Sequence, residues 1–156
     1  MERRSFLKSF GAMGAAITLI PQLGYGEEAK KVAGPNALSL DAAMSAITGG
    51  KAVTFSPKVT LSAPEIAENG AVVPVKVSVE SPMTEKDHVK EIHVLASKNN
   101  NVRCADVYLS PANGSASFGT RIKLGGTQDV VAVVKMSDGT FLAAKQNVKV
   151  TIGGCG

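Results

Sequence analysis

From Val73 to Glu80 the chain alternates without interruption, with Val73, Val75, Val77 and Val79 separated by Pro74, Lys76, Ser78 and Glu80. Side chains on a strand point to opposite faces in turn, so this run reads as a strand with one buried and one wet face. Pro74 lacks an N–H for a ladder bond and places the strand at an edge or a bulge. Further strand-like runs occur at Lys90–Ser97, Asn101–Ser110, Ala116–Leu124, Asp129–Met136 and Lys145–Ile152. Turn residues separate them, at Asn69-Gly70, Ser81-Pro82, Asn99 to Asn101, Asn113-Gly114, Gly125-Gly126 and Asp138-Gly139. Asp138-Gly139 between two apolar runs predicts a two-residue hairpin. Short strands, frequent turns and no long helical pattern predict an all-β fold, an immunoglobulin-like antiparallel β-sandwich over residues 51–152. The likeness to antibody domains is one of architecture, since the chain has no Trp for the core.

A short helix precedes the sandwich. Ser39 is placed to cap it, Leu40, Ala43, Met44 and Ile47 recur at helical spacing, and Gly49-Gly50 ends it. Its apolar stripe is narrow, so it is expected to pack on a larger body. Residues 27–50 thus form a lead-in and this helix. At the other end, Val148, Val150 and Ile152 share one face of the last strand and Asn147, Lys149 and Thr151 the other. Gly153-Gly154-Cys155-Gly156 follows, a thiol flanked only by residues without side chains. Glycine has the most backbone freedom, and chain ends are mobile unless tied down. Residues 153–156 therefore read as a flexible arm that carries Cys155 up to about 10 Å from the sheet.

The first residues set the compartment. Arg3-Arg4-Ser5-Phe6-Leu7-Lys8 is a twin-arginine export motif, followed by an uncharged stretch over 9–20 and by Gly24-Tyr25-Gly26. Small residues at the two positions a signal peptidase reads place cleavage after Gly26 and the product in the periplasm. The apolar stretch is too short for a membrane span, which needs roughly 20 residues. Losing Arg3, Arg4, Lys8 and Glu2 takes 17 basic and 13 acidic residues to 14 and 12, so the net charge falls from +4 to +2. Without a basic cluster, and with aromatics at 4%, nucleic-acid binding finds no support.

Cys155 is the residue whose setting calls for chemistry. A free thiol is only a few per cent thiolate at neutral pH. No histidine or cation adjoins Cys155 in sequence, so it reads as a passenger activated inside a partner's site, with no catalytic residue of the chain's own. Cys104 reads as a small buried hydrophobe. In an oxidising compartment two alternatives stay open for it, a bridge to Cys155 or an intermolecular disulfide. His88 and His93 are an odd number apart on one strand and so face opposite ways, and no metal site or cofactor is expected. Glu65 and Glu68 read as solvated turn residues.

Taken together, Ala63-Pro64-Glu65-Ile66-Ala67-Glu68-Asn69-Gly70, Val73-Pro74-Val75, Ser81-Pro82-Met83, Thr120-Arg121-Ile122-Lys123-Leu124, Ser137-Asp138-Gly139 and the Gly153–Gly156 tail resemble SoxY, the sulfur-carrier subunit of the SoxYZ thiosulfate-oxidation complex. The resemblance implies that Cys155 is the covalent attachment site and that Gly153, Gly154 and Gly156 make its swinging arm flexible. It implies a SoxZ partner and transient visits to the SoxAX cytochrome, the SoxB hydrolase and a sulfane dehydrogenase, which do the catalysis. Family tails often end in one more glycine than this chain has. Cys104 matches none of the family's motifs. An exported structural or interaction sandwich and a thiol redox protein are the two other classes the sequence allows.

Overall fold

A computed structural model of the chain describes residues 37–156. The expected leader, 1–26, and the lead-in up to residue 36 lie outside the described residues. The sequence organises itself as α1 (Leu40–Thr48), then β1 (Val53–Phe55), β2 (Val59–Ser62), β3 (Ile66–Asn69), β4 (Val73–Val79), β5 (Val89–Ala96), β6 (Arg103–Tyr108), β7 (Ala116–Ile122), β8 (Gln128–Met136) and β9 (Phe141–Ile152).

The strands form an all-β sandwich of two sheets. One has the order β1-β9-β8-β5-β6, with β3 also paired to β9, and the other has the order β2-β4-β7. Most pairs are antiparallel as expected, but β1 and β3 both run parallel to β9. At 12 residues β9 is longer than either short neighbour. β1 covers its first residues, Phe141 to Ala143, and β3 its last, from Lys149 to Ile152. Between them the chain passes through β2 in the opposite sheet. β4 is the central strand of the small sheet and carries no bulge, contrary to what Pro74 suggests; Pro74 pairs with Arg121 on β7, whereas β2 reaches along β4 only to Lys76. Its missing N–H thus falls where β4 has no partner on the β2 side.

The alternating valines do what the pattern requires. Val73, Val75, Val77 and Val79 are buried and face Ile92, Val94, Val130, Ala132, Val134 and Val148 across the sandwich. β8 is apolar on both faces because its other face is also covered. Val131 and Val133, with Leu95, Val102 and Phe141, pack beneath Ala43 of α1, flanked by Leu40, Met44 and Ile47. The helix is capped as its sequence predicts. Ser39 Oγ accepts from Ala42 N at 3.2 Å, and Gly49 takes a left-handed conformation with its N–H bonded to Ser45 O. A hairpin also forms at Asp138-Gly139, but its loop has three residues where the sequence predicts two: Met136 N donates to Thr140 O at 2.9 Å and Gly139 N to Met136 O at 3.0 Å, and Gly139 alone of the three takes a positive φ, +84°.

On the helix side of the large sheet, buried His93 lies between two carboxylates. Its Nδ1 is 2.6 Å from Asp106 Oδ1 and its Nε2 is 3.1 Å from Glu91 Oε2. Arg103 also reaches Asp106, at 2.9 Å. Burial pulls the Asp106 carboxyl upward, but the hydrogen bonds from His93 and Arg103 outweigh it and hold the group below its ordinary range. A carboxyl depressed in the folded state adds stability above its unfolded pKa and loses it as pH falls through the folded value. The melting temperature is therefore expected to drop below about pH 4. In a pH series of thermal melts, Asp106→Asn should be less stable than the parent at pH 7 and lose less on acidification. Parallel curves would assign the acid loss elsewhere.

Candidate functional site

The arm leaves the sheet at Ile152 and lies against the body in a defined place. Three backbone hydrogen bonds link the segments around it: Gly70 N to Ile152 O at 2.8 Å, Leu124 N to Gly70 O at 2.7 Å, and Gly154 N to Leu124 O at 2.9 Å. The turn after β3, the end of the β7 segment and the arm are thereby laced together. This arrangement leaves no room for side chains. A Cβ on Gly154 would stand 2.6 Å from Ala71 Cα, Ala71 N and Gly70 C, and one on Gly153 would strike the Gly125 carbonyl oxygen. One on Gly156 would meet the Asn99 carboxamide, 2.7 Å from its Cγ. The arm glycines therefore permit close approach of backbone to backbone, a second use of the residue beside conformational freedom.

Asn99 forms the floor of this notch. Its Oδ1 accepts from Gly125 N at 3.1 Å and from Gln128 Nε2 at 2.8 Å, and its Nδ2 donates to Lys123 O at 2.7 Å. Gln128 in turn accepts from Lys98 N at 2.7 Å. Both amides are buried, so the network is satisfied within the protein and holds the 123–126 loop under the arm.

Beyond the notch, Cys155 is exposed, at the rim of a cavity of about 340 Å³. Arg121, Lys123 and Asn101 also line it, as does Cys104 from β6. The two cysteines share this cavity as separate thiols, without a bond between them. Cys104 is half-buried, and its Sγ is 3.8 Å from Val102 O and 4.0 Å from Asn99 Nδ2. Burial pushes its thiol up to about 11. Two pKa units above the ordinary value reduce the thiolate about 100-fold. Iodoacetamide at pH 8 is therefore expected to label Cys155 and spare Cys104, as peptide mass mapping would read. Equal labelling would show Cys104 to be open to solvent.

The other residues singled out in the sequence lie apart from this site. Glu65 and Glu68 are exposed, as solvated residues should be. Ile66–Asn69, however, forms strand β3, where the sequence suggests only a turn. His88 is half-buried before β5, its ring bonded to Thr84 O, while both ring nitrogens of His93 face carboxylates. Among the described residues, no three His, Cys, Asp or Glu side chains are grouped to hold a metal ion. Asn99, Gln128 and Gly125 escaped the sequence reading. Asn99 and Gly125 each sit in a turn cluster, where Asn and Gly are ordinary.

The Ala63–Gly70 and Thr120–Leu124 segments and the tail, far apart in sequence, converge at this notch. A family model described as "Sulfur oxidation protein SoxY" matches residues 44–155, ending on Cys155 itself. The chain belongs to the SoxY family. Among solved structures it is similar to the sulfur carrier protein SoxY from Chlorobium limicola f thiosulfatophilum, with 32% identity and a TM-score of 0.62 over 73% of this chain and 97% of that one. It also resembles a superoxide reductase (neelaredoxin) from Ignicoccus hospitalis, at 19% identity and TM-score 0.54, over 60% of this chain and 80% of that one. The superoxide reductase from Nanoarchaeum equitans matches at 10% identity and TM-score 0.52, over 62% of this chain and 99% of that one. These last two likenesses are of fold alone. No curated protein sequence matches the chain.

Proposed function

We propose that this SoxY-family chain is a covalent sulfur carrier. It holds thiosulfate-derived intermediates on Cys155 and presents them to the enzymes of a sulfur-oxidising system, while catalysing no step itself. The observation that carries this reading is the position of Cys155. It is an exposed thiol on a side-chain-free arm, at the last residue of the family match. A group bonded there is reachable by another protein's pocket once the arm leaves its notch. The hold on the arm is light: among the described residues one hydrogen bond, from Gly154 N to Leu124 O, ties residues 153–156 to the body. A bond of this kind contributes only about 0.5–1.5 kcal/mol net, so docked and extended arms can exchange readily.

Pairing with a SoxZ subunit and visits to SoxAX, SoxB and a sulfane dehydrogenase follow from the family resemblance. The Arg3-Arg4 segment supports export to the periplasm by the twin-arginine pathway. Among the described residues, no helix is long and apolar enough to cross a membrane. The reading is tested by adding purified chain, with its SoxZ partner, to an extract of thiosulfate-grown cells from which both have been deleted. Substoichiometric chain should restore thiosulfate-dependent cytochrome c reduction over many turnovers. Failure to restore it would refute the carrier role.

A further inference from the structure

We propose that the bare outer face of the small sheet is where enzymes that receive the arm dock, through an acidic lip beside their pocket; this rests on the carrier reading. The large sheet is covered in the middle of its outer face by α1. On the small sheet Thr60, Ser62, Lys76, Ser117, Gly119 and Arg121 are all exposed. They share the outer face because the buried valines of β4 take the inner one. A groove of about 940 Å³ runs along this face, with Ser62, Lys76, Gly119 and Arg121 in its lining.

The groove is open to negative charge. Lys76 stands between Ser62 on β2 and Gly119 on β7, and Arg121 lies two positions along β7, opposite Pro74. Neither cation forms an ion pair among the described residues. The acid on this strand, Glu80, is about 13 Å from Lys76 along an extended chain. Gly119 adds an independent mark. It sits inside a strand, its φ is not in the left-handed region, and a Cβ on it would meet only Val75 O, at 4.0 Å. Glycine weakens a strand, and nothing within the chain requires one here, which is how a position looks where another molecule's backbone comes close.

The arm fixes what that molecule is. It carries Cys155 no more than about 10 Å from the sheet, so an enzyme taking the thiol must press its pocket rim against the body. Arg121 lines both this groove and the cavity at Cys155. The rim that accepts the arm therefore reaches the groove, and carboxylates on it meet Lys76 and Arg121. Contacts of this kind speed encounter and set register, which suits a carrier that must leave each partner again.

The test records cytochrome c reduction against the concentration of mature chain, supplied with its SoxZ partner to the extract lacking both. Lys76→Glu and Gly119→Gln should each raise the half-saturating concentration roughly tenfold and leave the plateau rate unchanged. Lys149→Glu makes the same charge change on the large sheet and should stay within about twofold. Added salt should raise the parent's half-saturating concentration more steeply than that of Lys76→Glu. Both substituted positions are exposed, so thermal melts should match the parent; if Gly119→Gln melts lower, Lys76→Glu decides alone. A parent-like value in Lys76→Glu, an equal rise in Lys149→Glu, or a loss of plateau rate alone overturns the proposal. Where the parent restores reduction and the variants match it, the docking face falls by itself. Where the parent restores none, the carrier reading falls and the docking face with it.

Discussion

Replacing Cys155 with serine is expected to leave a folded chain that restores no thiosulfate-dependent cytochrome reduction. A serine hydroxyl cannot form the S–S bond on which covalent carriage depends, so the expected loss is to background and not a partial decline. The fold should not notice the change. The Cys155 side chain is exposed, and the arm's hydrogen bond to the body comes from the Gly154 backbone. Exposed substitutions of this kind fall within about 0.5 kcal/mol of neutral, so thermal melts should superimpose. Cys104→Ser supplies the contrast. Cys104 lines the same cavity but is half-buried, with its thiol pushed up to about 11. It should retain activity. Activity in Cys155→Ser, or its loss in Cys104→Ser alone, would move the chemistry to the other thiol.

The second large effect is expected from Gly154→Ala. The added methyl would lie 2.6 Å from Ala71 and Gly70 backbone atoms. Those atoms belong to a turn pinned by Gly70 N to Ile152 O and Leu124 N to Gly70 O, so they cannot give way cheaply. Overpacking of this order costs about 1–3 kcal/mol, more than the net value of the single bond that docks the arm. The arm should therefore leave the notch, and the docked-to-extended ratio should fall roughly 10–100-fold, at about 1.4 kcal/mol for each factor of ten. Hydrogen exchange would read this as lost protection at the residue 154 amide, with the β8 and β9 amides unchanged. Gly126→Ala is the matched control, because a Cβ there meets nothing within 4 Å. If both variants retain protection at residue 154, the glycine is needed for flexibility alone.

Much of this fold could be read from residue order because its signals are local. The valine alternation of β4 and the caps of α1 depend on neighbours a few residues apart and form as expected, and Asp138-Gly139 marks a hairpin whose loop holds three residues where two are expected. What escaped depends on distant partners. The four residues of β3 are too few to show a period, and its partner β9 is about 80 residues away by the pairing Ile66 with Lys149. The parallel pairings are hidden for the same reason. At the site, Cys155 stood out because nothing with a side chain surrounds it. The docking of its arm did not, since a glycine chosen for freedom and one chosen for close approach are the same letter. Asn99 is likewise ordinary in a turn cluster, and its role appears only when the 123–126 loop and the arm close over it.

The proposed function requires that Cys155 carry sulfur. Its most direct test is the intact mass of the protein isolated from its own cells during growth on thiosulfate, recorded with and without reductant and followed by peptide mapping. Sulfur-containing adducts that map to Cys155 and disappear on reduction are the predicted result. A chain with no adduct, or with Cys155 bonded to Cys104, would contradict it.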